Sequence, residues 1–260
     1  MKAKVFTTLM AAVLSSPTPT PADAGFHLMQ IEQVIGGVNG DTSAQAIQLR
    51  LRFPGETLLE FARIRAWDSA GANPITLIDF DASVPPSGVG ARVLITSPSF
   101  ATYTETPLTS DFILTSLIPN SYLAAGRITY EQDNGDIFWS LSFGGAAYTG
   151  PTTGLSTNDA DGEFGPPFDG PCPSGTTRAL QFQGVATDPS STNANDYELT
   201  TGPAVFTNNA GVSSEIVPPA LPLLSEWGLV VLSLLVATAG TVILARRRAP
   251  LAESGNKTVR

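Results

Sequence analysis

Lysine is nearly missing from this chain: three occur in 260 residues, and none lies between Gly25 and Glu226. Cysteine and histidine occur once each, as Cys172 and His27. A lone cysteine excludes an intrachain disulfide and any cysteine-rich zinc site, and a lone histidine leaves only His27 for a Ser-His-Asp triad. Charged residues make up 14% of the chain, well under the roughly one quarter of a usual globular domain. Soluble helices need more Lys, Glu and Leu than this. With 23 acidic against 14 basic residues the formal charge is −9, so nucleic acid is excluded as a partner, because phosphate contacts need clustered cations. No Gly-x-Ser-x-Gly, P-loop or HExxH pattern occurs, and no enzyme is predicted. A secreted hydrolase using a carboxylate pair is the alternative, yet spacing singles out no pair.

What the chain does have begins at its ends. Lys2 and Lys4 precede an apolar run from Val5 to Leu14, and a Ser/Pro/Thr stretch leads to Ala22-Asp23-Ala24. This is the layout of a secretory signal peptide over 1–24, too short to span a bilayer and cut by signal peptidase before Gly25. Near the other end, Gly228 to Ala245 holds 18 residues without a charge or a proline. At 1.5 Å per residue that is about 27 Å, which with Trp227 as interfacial aromatic predicts one transmembrane helix over 227–245, in contact with membrane lipid. Arg246, Arg247 and Arg248 follow at once. By the positive-inside rule they are the topology stop, so the tail 246–260 is cytoplasmic and everything before Trp227 is exported.

The approach to this helix reads Leu221-Pro222-Leu223-Leu224-Ser225-Glu226-Trp227-Gly228. Together with the apolar span and the arginine cluster, this block resembles the IPTL-CTERM sorting signal, a relative of PEP-CTERM tails, although the tetrad is Leu-Pro-Leu-Leu in place of Ile-Pro-Thr-Leu. The resemblance implies that an exosortase-type sorting enzyme cuts near Pro222 to Glu226 and releases or reattaches the ectodomain at the cell surface. A permanent anchor is the alternative.

Between the ends, seven arginines face 21 acidic residues, a formal −14 over Gly25 to Glu226. Such a surface favours solubility and cation association. Period-two alternation dominates. Ala46 to Phe53 places Ile47, Leu49, Leu51 and Phe53 on one face and Gln48, Arg50 and Arg52 on the other, which predicts a half-buried strand. Similar segments are His27 to Ile35, Ala62 to Trp67, Ile75 to Phe80 and Arg92 to Thr96, separated by Gly, Pro, Asn and Asp clusters. In Gly126 to Phe143, Asn134-Gly135 predicts a two-residue type I′ hairpin with Asp133 facing Asp136, Tyr130 facing Trp139 and Ile128 facing Leu141. A last pair of strands is expected from Arg178 to Ala186 and Tyr197 to Phe206. The fold class is therefore all-β, an antiparallel immunoglobulin-like sandwich plus the C-terminal helix.

Residues 26 to about 100 also resemble a lamin-tail-type domain, on Ile31 to Val34, Gly40-Asp41, Ala46 to Leu51, Ala66 to Gly71 and Gly90 to Ile95. The resemblance implies a binding or structural module and no catalytic residue. The expected organisation is a lamin-tail-like region over 25–110, further hairpins packed on or continuing it over 111–212, and a linker carrying the sorting motif over 213–226. Asn158 to Glu163 alternates oxygen ligands before Gly162, so Asp159, Asp161 and Glu163 are the candidate ligands of a calcium ion. With Gly162 at position six of a calcium loop, however, position twelve falls on Phe168 where a bidentate carboxylate belongs. Cys172, between Pro171 and Pro173, reads as a buried or idle thiol. Taken together, the residues predict an exported cell-envelope protein with a structural or adhesive role, or alternatively a calcium- or carbohydrate-binding surface module.

Overall fold

The computed structural model describes residues 25–85, 87–218, 230–231 and 233–239. The predicted signal peptide, the sorting block from Leu221 to Gly228, and Arg246 to Arg248 lie outside the described residues. The chain divides after Pro218 into two units.

In the first unit twelve strands are described: β1 Met29–Ile35, β2 Ala46–Leu51, β3 Ala62–Trp67, β4 Ile75–Asp79, β5 Arg92–Thr96, β6 Phe112–Ile113, β7 Gly126–Gln132, β8 Ile137–Phe143, β9 Leu180–Phe182, β10 Tyr197–Leu199, β11 Val205–Thr207 and β12 Ser213–Glu215. They form a six-stranded sheet in the order β10-β9-β1-β2-β5-β6, a four-stranded sheet β4-β3-β7-β8 and a two-stranded sheet β11-β12. Pairing is antiparallel except between β5 and β6. Ile31, Leu49 and Val93 from the first sheet meet Ile64, Ile128, Trp139 and Leu141 from the second in one apolar core, which is why their segments alternate with period two. Burying each such side chain contributes about 1.5–3 kcal/mol.

The predicted regions 25–110 and 111–212 share these sheets, since β7 pairs with β3 and β9 with β1. The second range continues the sandwich. Ser213 to Glu215, expected in a linker, is a strand paired with β11.

Two expectations are corrected. Ala46 to Leu51 is buried on both faces, not half-buried. Its outward side chains are covered: Thr207 donates to Gln48 Oε1 at 2.5 Å and Arg50 donates to the Gly184 carbonyl at 2.7 Å. Phe53 lies past the strand end and is exposed. The hairpin keeps the predicted Ile128–Leu141 and Tyr130–Trp139 pairs, but a bulge after Tyr130 shifts Glu131 onto Ile137. The Gln132 and Gly135 bonds close a three-residue loop, with Gly135 at φ +98° taking the left-handed position. Asp133 therefore does not oppose Asp136. Its N–H donates to the Phe61 carbonyl, while Asp136 bonds Asn134, and the like-charge contact is relieved.

In the second unit, residues 230–231 and 233–239 are helical, and Val230, Val231, Leu234, Leu235 and Val236 are exposed. Among the described residues no helix is long and apolar enough to cross a membrane. The rest of the predicted span 227–245 lies outside them.

Candidate functional site

A buried carboxylate needs a compensating donor or cation, so buried acids mark where a sequence spends its polar groups. Four are described: Glu32, Glu56, Glu131 and Asp159. Glu32 sits in the β1 bulge on the outward face of the six-stranded sheet. Arg50 bonds it at 2.9 Å and Arg92 at 2.7 Å, and Gln48 donates to it at 2.8 Å. Arg50 also donates to Gln30 at 2.6 Å. Burial pushes the Arg50 guanidinium down, and the Glu32 charge opposes that. The other sheet repeats the device on its own outer face: Arg63 and Arg65 on β3 reach across to Glu131 on β7. Arg65 also lies 4.5 Å over the Trp67 ring.

The remaining arginines are committed too. Arg52 donates to Asn158, Arg127 to Ser140 and the Thr153 carbonyl, and Arg178 to the Leu199 and Thr200 carbonyls. Each bridges several acceptors with a planar fork, a task lysine's single ammonium performs poorly. The seven arginines between Gly25 and Glu226 thus serve internal crosslinks, while Asp79, Asp81, Glu105, Asp133, Asp136, Asp161, Glu163, Glu198 and Glu215 are exposed.

Asp159 has no arginine. Its Oδ1 accepts from the Asp161 and Gly162 N–H groups at 3.0 and 2.9 Å, whereas its Oδ2 is buried without a donor. Burial raises the Asp159 carboxyl above its ordinary value, and the Glu163 N–H holds Asp161 below it. Glu163 is exposed and turns toward Thr152. Of the three predicted calcium ligands the fold brings Asp159 and Asp161 together. Among the described residues no three His, Cys, Asp or Glu side chains converge as a metal site.

A cavity of about 600 Å³ lies beside Cys172, lined by Leu123, Ala124, Phe168, Pro171, Pro173 and Leu199 among others. Burial pushes the thiol up to about 12. At neutral pH it is a protonated thiol, neither nucleophile nor base. Maleimide should therefore leave Cys172 unlabelled in the native protein and label it fully in denaturant; rapid native labelling, read by intact mass, would contradict its burial. His27, the other singular residue, is exposed, with its ring 4.9 Å from Phe138.

Residues 219–248 match the family described as the IPTL-CTERM motif. The match spans the predicted sorting block, the apolar run and the three arginines, and it leaves the β-sandwich outside it. No curated protein matches the chain.

Proposed function

We propose that this is an exported cell-envelope protein whose acidic β-sandwich, immunoglobulin-like in kind, is delivered outside the cytoplasm and processed through its C-terminal sorting tail, in a structural or adhesive role without catalysis. The IPTL-CTERM match at 219–248 carries this reading. It is supported by the signal-peptide layout at the other end, which implies the same topology independently. The outward apolar side chains of Val230, Val231, Leu234, Leu235 and Val236 spread around the helix, as a lipid-facing segment requires. Signal peptidase, membrane lipid and an exosortase-type enzyme are the implied partners. The lamin-tail resemblance of 26 to about 100 belongs to the same reading, as a scaffold module.

Intact-mass measurement on native cell fractions tests it. A chain starting at Gly25 and ending near Glu226 supports sorting, and a chain starting at Gly25 but retaining Arg260 supports a permanent anchor. A full-length chain with Met1 in the soluble cytoplasmic fraction overturns both.

A second reading, a calcium-binding surface module, is favoured by the donorless Asp159 Oδ2 beside Asp161. Calcium would take further oxygens from carbonyls and water. Millimolar calcium should then raise the melting temperature by several degrees, and Asp161→Asn should abolish the rise; an unchanged melting temperature rejects this reading.

A further inference from the structure

Glu56 is the other buried acid without an arginine, and among the described residues no Lys or Arg pairs with it. Its bonded partner is the Leu28 N–H, which donates to Oε2 at 3.0 Å. What stands beside the carboxylate is Gly25. A β-carbon placed on Gly25 would lie 2.8 Å from Glu56 Oε1 and 3.0 Å from Oε2, so any larger residue there would displace the carboxylate. Gly25 is also fixed along the chain: its N–H donates to the Gly55 carbonyl at 2.9 Å, and its carbonyl accepts from Leu58 at 3.0 Å. The next residues hold it in place, because Tyr130 donates to the Phe26 carbonyl at 2.6 Å and Asn158 to the His27 carbonyl at 2.6 Å.

We propose that cleavage between Ala24 and Gly25 delivers the new α-ammonium to the waiting Glu56 carboxylate, so that export processing completes an ion pair at the start of the ectodomain. This rests on the export reading above. In the cleavage, water adds across the amide: Ala24 leaves with a carboxylate, and the Gly25 nitrogen changes from a single N–H donor to an ammonium with three. One N–H keeps the Gly55 carbonyl. The others become available to the carboxylate, and a buried negative charge gains a cation, as Glu32 gains Arg50 and Arg92 and Glu131 gains Arg63 and Arg65. Before cleavage the Gly25 nitrogen is a neutral amide whose one N–H goes to the Gly55 carbonyl.

An α-ammonium paired in this way holds its proton more tightly, so its pKa rises above the ordinary value of about 8 by a unit or more. By linkage the pair stabilises the fold fully below about pH 8, and the benefit is lost as pH climbs through the raised value. The measurement is simple here because no lysine lies between Gly25 and Glu226, so that Lys257 is the one other amine if the tail is retained and none is left if it is cut. The protein is purified from the envelope, its N-terminus is identified by intact mass, and trace acetylation by acetic anhydride is followed across pH on the N-terminal peptide. We expect a Gly25 start, with half-maximal amine reactivity at about pH 9 or higher, about eightfold or more lower reactivity at pH 7.5 than an amine titrating at about 8, and recovery of the ordinary value in Glu56→Gln. Glutamine keeps an acceptor for the Leu28 N–H, and should that variant fail to fold, the wild-type titration decides alone. A Gly25 amine titrating near 8 in the wild type overturns the ion pair while leaving export intact. A start at another residue overturns the cleavage position itself, and a start at Met1 overturns the export reading with it.

Discussion

Alanine at position 32 is expected to cost the β-sandwich about 3–5 kcal/mol, measured as a shift of the urea midpoint at constant slope. Glu32 is 1% exposed and receives both Arg50 and Arg92 as well as the Gln48 amide. Removing it leaves two guanidinium groups facing each other on adjacent strands, since Arg50 and Arg92 are register partners. The loss therefore combines four hydrogen bonds, each about 1 kcal/mol, with two cations left without a counter-charge. Glu32→Gln keeps the oxygen but not the charge and should fall between wild type and alanine. Adding Arg92→Ala to Glu32→Ala should recover part of the loss, because the removed cation no longer needs a counter-charge. If Glu32→Ala changes stability by less than 1 kcal/mol, water or a neighbouring acid has taken over the role, and the outer face is wetter than its burial indicates.

The second large effect is expected at Trp139, whose replacement by alanine should cost about 3–5 kcal/mol. The indole is fully buried on β8, with Phe182 at 5.3 Å and Phe164 at 5.9 Å in edge contacts. Its Nε1 donates to the Tyr197 hydroxyl at 2.8 Å, and that hydroxyl donates to the Ile31 carbonyl at 2.5 Å. The relay passes from the four-stranded sheet through β10 to β1, so it joins the two layers across their core. Tyr197→Phe should cost less, about 1–3 kcal/mol, because it removes one polar atom and orphans the indole N–H without opening a cavity. The order of the two costs separates packing from hydrogen bonding. Equal losses would mean that the relay, rather than the volume of the indole, holds the layers together.

The alternation of Ala46 to Leu51, Ala62 to Trp67 and Arg92 to Thr96 made the inner faces legible, because a strand against a core repeats every two residues whatever lies outside it. Tyr130 opposite Trp139 was legible for the same reason. The covering of the outer faces was not. Gln48 and Arg50 read as the outer face of a half-buried strand, and the segments over them, around Thr207 and Gly184, carry no periodicity to announce the contact. Glu32 falls on the outward face by simple alternation with Ile31, and nothing in the spacing announced its burial. The Arg63-Ile64-Arg65 and Thr129-Tyr130-Glu131 triplets would have suggested the second charge cluster had their pairing been known. At the candidate sites, Asp159 and Asp161 were readable from spacing, whereas Glu56 was hidden behind Pro54-Gly55, which signalled only a turn. The IPTL-CTERM block was readable, because its match at 219–248 is a linear pattern that needs no fold to recognise it.

The commitment of every arginine between Gly25 and Glu226 to internal acceptors reaches beyond folding. Trypsin-like proteases grip an extended basic side chain, and in this stretch they meet no lysine and only guanidinium groups already tied down within the fold. Trypsin added to the purified full-length chain should cut it outside residues 25–226, at Lys2, Lys4, Arg246 to Arg248 and Lys257, so that the acidic body over 25–226 survives within one limit fragment.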